Sequence, residues 1–173
     1  MLRMKAPAER ALSKGELGGY TMSRVRTWIG GVRRAPESWE EPHNWYPTGV
    51  PDYHDTVVIG GYGRHRCRVS TSVGAVMCVQ VLPGAYLVVA ADGVLRIDGL
   101  FSDPFGLVCG SGLVNEGSVE IDGTLDLRNV TSGGIDNAGL LCNRGRISTC
   151  DRVTRCTAAW GRFLNTGQRR YLA

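Results

Sequence analysis

The feature that most constrains this chain is that it repeats itself at the spacing of one short loop. Gly93-Val94-Leu95-Arg96-Ile97-Asp98-Gly99 recurs as Gly117-Ser118-Val119-Glu120-Ile121-Asp122-Gly123, 24 residues later. Asn115-x-Gly117 recurs as Asn137-x-Gly139, and Asn143-x-Gly145 as Asn165-x-Gly167, each at an offset of 22. From residue 56 onward the apolar residues alternate in short runs broken by Gly, Asn and Asp, with no helical periodicity. Such runs read as strands, since alternate side chains of a strand face opposite sides.

A period this short with no helix inside it leaves few architectures. Leucine-rich repeats have a similar period but need a recurring L-x-x-L-x-L scaffold, which is missing here. The expected fold is all-β, a short parallel β-helix of about five coils, each turn supplying two or three strands. At about 4.8 Å per coil the stack is roughly 24 Å tall. In this reading Leu95 and Ile97 point inward beneath Val119 and Ile121, Arg96 and Glu120 point outward one above the other, and Leu125 and Leu127 continue the inward row. Asn115, Asn137, Asn143 and Asn165 occupy corners, where stacked Asn side chains bond the adjacent coil's backbone and the neighbouring glycines supply positive φ.

Charge is distributed in blocks. Residues 1–34 carry eight basic and two acidic side chains, and residues 35–60 carry five acidic and no basic ones. Residues 92–126 hold seven acidic against one basic, and residues 127–173 hold eight basic against two acidic. Such blocks point to complementarity with a protein partner or between copies. Nucleic acid is not the expected partner, because the acidic middle repels phosphate and no aromatic residues interleave the basic ends. No stretch approaches 18 apolar residues, and charges stand where a signal peptide needs its hydrophobic segment, so neither a membrane span nor conventional secretion is expected.

The six cysteines, Cys67, Cys78, Cys109, Cys142, Cys150 and Cys156, form no C-x-x-C pair and read as small apolar residues. His43, His54 and His65 lie in or just after a Pro-rich segment, with Asp52 and Asp55 near the second, and no metal site or other cofactor is expected.

The chain divides into a basic arm (1–22), a Trp/Pro-rich cap segment (23–55) and the repetitive body (56–173). Three of the four tryptophans, Trp28, Trp39 and Trp45, fall in the cap segment, as a cover over an open end of repetitive β structure requires. Trp28, Gly30, Gly31, Trp39, Asn44, Trp45, Pro47, Gly49, Val50, Pro51, Asp55, Val57 and Ile59 together resemble the W-x-G-G…N-W-x-P-x-G-V-P…D-x-V-x-I opening of bacterial and phage surface proteins built on right-handed parallel β-helices, adhesin passenger domains among them. The resemblance implies a right-handed β-helix, but the fold hosts adhesins, sugar-cleaving enzymes and inert structural parts alike.

A small β-helix made without export fits a virion component assembled in the host cytoplasm. The expectation is a non-enzymatic capsid decoration or cement protein on the outer capsid surface, a homotrimer bound to the major capsid protein. Its shell-facing contacts would come from the arm and from Arg24, Arg26, Arg33 and Arg34. The alternative is a carbohydrate-binding attachment module of a tail fibre or surface adhesin. A glycan-cleaving enzyme needs two or three converging carboxylates with aromatics to hold sugar rings. Asp98, Glu120, Asp122 and Asp126 are the candidates, but Asp98 and Asp122 precede Gly and read as turn residues, so no catalytic residue is expected.

Overall fold

The structure, a computed structural model, describes residues 24–61, 65–99, 112–130, 134–150, 155–157 and 162–172. The arm 1–22 therefore lies outside the described residues. The chain is all-β; its one helical element among the described residues is a 3-10 turn, Pro42–Asn44. The early strands are β1 (Arg24–Trp28), β2 (Trp45–Tyr46), β3 (Asp55–Ile59), β4 (Cys67–Val69), β5 (Cys78–Val81), β6 (Tyr86–Val89) and β7 (Val94–Arg96). After them come β8 (Leu113–Asn115), β9 (Ser118–Ile121), β10 (Thr124–Leu127), β11 (Gly134–Asn137) and β12 (Leu140–Asn143). The last are β13 (Arg146–Cys150), β14 (Arg155–Thr157), β15 (Arg162–Asn165) and β16 (Gln168–Leu172).

These strands form three sheets. The first runs β14-β11-β8-β5-β3-β1-β2, the second β15-β12-β9-β6-β4 and the third β16-β13-β10-β7. From β5 onward successive strands join the first, second and third sheets in unbroken rotation. All neighbours pair parallel except β1 and β2. Leu113 faces Ile135, Val119 faces Leu141 and Leu125 faces Ile147, each 22 residues apart. Val57 faces Val79, also 22 apart, but offsets that span the β7–β8 connection are wider: Val79 faces Leu113 and Leu95 faces Leu125, 34 and 30 residues apart.

The longest sequence repeat does not mark vertical neighbours. Leu95 lies in the third sheet opposite Leu125, whereas Val119 lies in the second, between Leu87 and Leu141. Ile121 is flanked by Val89 and Asn143, not by Ile97, and Arg96 bonds Asp126 at 3.5 Å rather than facing Glu120. The expected stacking of the two heptapeptides is thus corrected. A strand followed by a tight corner recurs on every face, so likeness of sequence records that shared local geometry and not which strands touch.

The 22-residue Asn spacing does mark neighbours. Asn115 faces Asn137, and Asn143 faces Asn165. Asn115 Nδ2 donates to Asn137 Oδ1 at 2.6 Å and to Leu140 O at 3.0 Å, and Asn143 Nδ2 donates to Asn165 Oδ1 at 2.8 Å. Asn115, Asn137 and Asn143 are fully buried, where unpaired amides would be costly.

The corner glycines serve a purpose other than the expected one. Gly99 does adopt a positive φ of 53°, but Gly117, Gly123, Gly139, Gly145 and Gly167 do not. There a Cβ would collide with the carbonyl oxygens of the preceding level: Gly117 O for Gly139, Gly123 O for Gly145 and Gly145 O for Gly167. Closeness of stacked backbones selects these glycines.

One buried cluster runs from Trp28, Trp39 and Trp45 through Val57, Ile59, Leu87, Leu95, Leu125 and Leu141 to Ile147. The cap segment is therefore continuous with the body, and β1 pairs in register with β3 across the 55/56 boundary. Trp45 packs edge-on against Trp28 and Trp39, with ring centroids 5.0 and 4.8 Å away. Buried Asn44 closes the cap loop: its Oδ1 accepts from Val32 N, and its Nδ2 donates to Ala35 O and Ser38 O. Glu40 ties the cap to the body by accepting from Ser38, Ser70, Thr71 N and the Thr71 hydroxyl.

Candidate functional site: an outward face and a corner groove

Strand β1 alternates Arg24, Val25, Arg26, Thr27, Trp28, and the side that goes inward is the arginine side. Arg24 stands opposite the fully buried Asp55 in the register, and Trp28 opposite buried Ile59. Asp55 accepts from Arg24 Nε at 3.0 Å, Arg26 Nε at 2.9 Å and Asp52 N at 2.9 Å. Arg24 also grips Asp52, and Arg26 donates to Pro47 O. Burial works against the Asp52 carboxylate, but the His54 N–H and the Arg24 guanidinium hold its pKa below the ordinary value. Two of the four expected contact arginines thus pair with carboxylates of the cap, Arg26 largely buried and Arg24 half-exposed. Arg33 and Arg34 are exposed, with no ion-pair partner among the described residues.

The outward side of the first sheet is uncharged over most of its height. Val25 and Thr27 of β1, Tyr46 of β2 opposite Thr27, Thr56 and Val58 of β3, Gln80 of β5 and Val114 of β8 occupy it. Val25 is 54%, neighbouring Ile29 50% and Tyr46 69% exposed. The other two sheets differ, with Arg68, Glu120 and Arg162 outward on the second and Arg96, Asp126 and Arg146 on the third. The sequence reading missed this face. Its signal is the alternation in β1, but strand periodicity alone does not say which side turns inward.

The four candidate carboxylates are all engaged. Arg144 bonds Asp122 through Nε at 2.6 Å and Glu120 through Nη2 at 3.1 Å, and Arg66 approaches Glu120 at 3.8 Å. Hydrogen bonds to Asp122 and then Glu120 raise the Arg144 pKa. Asp126, only 4% exposed, accepts from Arg128 Nε and Nη2 at 2.8 and 2.6 Å. The hydrogen bond from Arg128 outweighs burial and holds the Asp126 carboxyl below its ordinary value. Asp98 accepts from Asn129 Nδ2 at 3.1 Å. For Asp126 the bond from Arg128 favours the ionised state, the opposite of what a general acid needs.

Where the second sheet turns into the third, consecutive levels stack Asp122-Gly123-Thr124 on Arg144-Gly145-Arg146. With Ala91 these residues line an open groove of about 390 Å³. Thr124 and Arg146 are register partners on β10 and β13. Arg146 is exposed, and no ion-pair partner reaches it among the described residues.

Among the described residues no group of three or more His, Cys, Asp or Glu is placed to hold a metal ion, and no helix is long and apolar enough to cross a membrane. No protein-family model, curated protein or solved structure matches this chain.

Proposed function

We propose that the chain is a short right-handed parallel β-helix acting as a non-enzymatic decoration or cement protein on the outside of a viral capsid. The cyclic passage of the strands through three parallel sheets supports the winding, and the strong preference of parallel crossovers for one hand supports its sense. The observation carrying the function is the uncharged outward face of the first sheet at the capped end, with Val25, Ile29 and Tyr46 exposed together. Exposed apolar side chains on a flat, rigid sheet suit burial against another protein. Arg33 and Arg34, exposed on the same cap segment and without an ion-pair partner among the described residues, supply positive charge for an acidic rim. The engaged state of Asp98, Glu120, Asp122 and Asp126 favours a structural role over glycan cleavage.

In this reading the major capsid protein is the partner, and the protein stabilises the shell by binding only its assembled form. A narrow core favours side-by-side association, for which a homotrimer is proposed. The test is co-sedimentation of purified protein with shells, followed by heating of decorated and bare particles. Tyr46→Asp and Val25→Asp place charge on the outward face while leaving the core untouched. Binding and added heat resistance that disappear in both variants support the proposal. Failure of the native protein to co-sediment, or undiminished binding by both variants, overturns it.

A further inference from the structure

We propose that the corner groove between the second and third sheets binds an acidic sugar, a ring bearing one carboxylate and adjacent hydroxyls. This site is separate from the outward face of the first sheet and does not depend on shell docking.

The groove is built by repetition. Its floor is Gly123 over Gly145, side-chain-free because a Cβ at either position would strike the level before it. The floor is therefore fixed by the stacking itself, with Gly123 buried and Gly145 half-buried. Its walls are Asp122 with Arg144 on one side and Thr124 with Arg146 on the other, contributed in pairs by two consecutive levels. Levels about 4.8 Å apart match the width of a sugar ring, so one ring can address both at once. The groove is open and polar-lined, so a ligand would lie along the surface and be held by its walls.

The chemistry of the walls selects the ligand. Arg144 is held by Asp122, Glu120 and Cys142 Sγ, so it acts as a fixed polar edge rather than a charge seeking a partner. Arg146 has no ionic partner among the described residues, and its planar fork matches a carboxylate. The Thr124 hydroxyl can donate and accept, and the Asp122 oxygens can accept from ligand hydroxyls with the lone pairs that Arg144 leaves free. The lining of Asp122, Arg144 and Arg146 sums to a single positive charge, suited to a singly charged, hydroxyl-rich ligand.

The test is an NMR titration of the uniformly 15N-labelled full chain with a glucuronate-containing disaccharide and with its neutral glucose counterpart. Saturable shifts at the amides of Gly123, Thr124, Gly145 and Arg146, at least about tenfold tighter for the acidic sugar, are expected. Arg146→Gln, at an exposed position, should keep the fold and abolish that preference, and Thr124→Val should weaken binding of both sugars. Absence of saturable shifts at these amides, equal affinity for the two sugars, or full acidic preference in Arg146→Gln would overturn the proposal. Shell co-sedimentation of Arg146→Gln should equal that of the native protein, so failure here and failure of the docking proposal are told apart.

Discussion

Asn115 Nδ2 lies 2.6 Å from Oδ1 of Asn137, two fully buried carboxamides 22 residues apart joined across adjacent levels of the first sheet. Asn115 also holds Leu140 O and accepts from Gly117 N, so it fastens the corner as well as the stack. Removal of either partner leaves a buried polar group short of a bond. Asn137→Ala and Asn115→Ala should each cost about 1–3 kcal/mol, with a coupling of at least about 0.5 kcal/mol in the double-mutant cycle. Urea denaturation measures this, and additive losses would show that the ladder contributes nothing.

The corner glycines give a sharper contrast. Gly139→Ala drives a methyl into Gly117 O, whereas a Cβ at Gly74 meets nothing within 4 Å. The first substitution should destabilise by upward of about 2 kcal/mol and the second by no more than about 0.5 kcal/mol. In thermal melts Gly139→Ala should lower Tm by at least about 4 °C, and Gly74→Ala should leave it within about 2 °C. Similar melts for both would mean that the levels are not closely stacked at that corner.

Acid sensitivity follows from Asp126. Its folded-state pKa lies below the ordinary 3.8, chiefly through Arg128, so the folded chain binds fewer protons than the unfolded one between the two values. The stabilisation is complete above the unfolded value and is lost as pH falls through the folded one. Asp126→Asn should therefore lower stability near neutrality and flatten the decline in urea midpoint below about pH 4. Asp52 and Glu40, shifted in the same direction, should sustain part of the remaining slope. An unchanged acid limb in the variant would contradict the assignment.

Burial separates the cysteines. Cys67 is fully buried, which pushes its thiol pKa well up, and Cys78 is 2% exposed, while Cys142 is partly exposed on the second sheet. Iodoacetamide at pH 8 should alkylate Cys142 in the native protein and spare Cys67 and Cys78 until denaturant is added. Peptide mass spectrometry reads the three sites separately, and early labelling of Cys67 would mean that the core opens readily.

Inward and outward positions of β9 can be tested one residue apart. Val119 is 1% exposed, and Glu120 lies on the outer side, paired with Arg144. Val119→Asp should prevent folding, whereas Glu120→Ala should cost no more than about 1 kcal/mol. Circular dichroism with urea titration distinguishes them, and comparable damage from both would invert the orientation of the strand.

The sequence by itself determined the all-β character, the inward sets such as Leu95 and Ile97 or Leu125 and Leu127, the burial of the three cap tryptophans, and the pairing of Asn115 with Asn137 and Asn143 with Asn165. Each is a local or strictly periodic property: alternation fixes which residues share a side, and a repeated buried amide is satisfied best by its own copy. Only the tertiary structure decided that Val119 neighbours Leu87 and Leu141 rather than Leu95, because chain inserted between β7 and β8 moves the levels without altering any strand's pattern. It also decided that Arg24 and Arg26 both reach to Asp55, Arg26 largely buried and Arg24 half-exposed. Nothing within β1 marks that side as interior, and the buried carboxylate of Asp55, a strand away, is what makes it tolerable for positive charge.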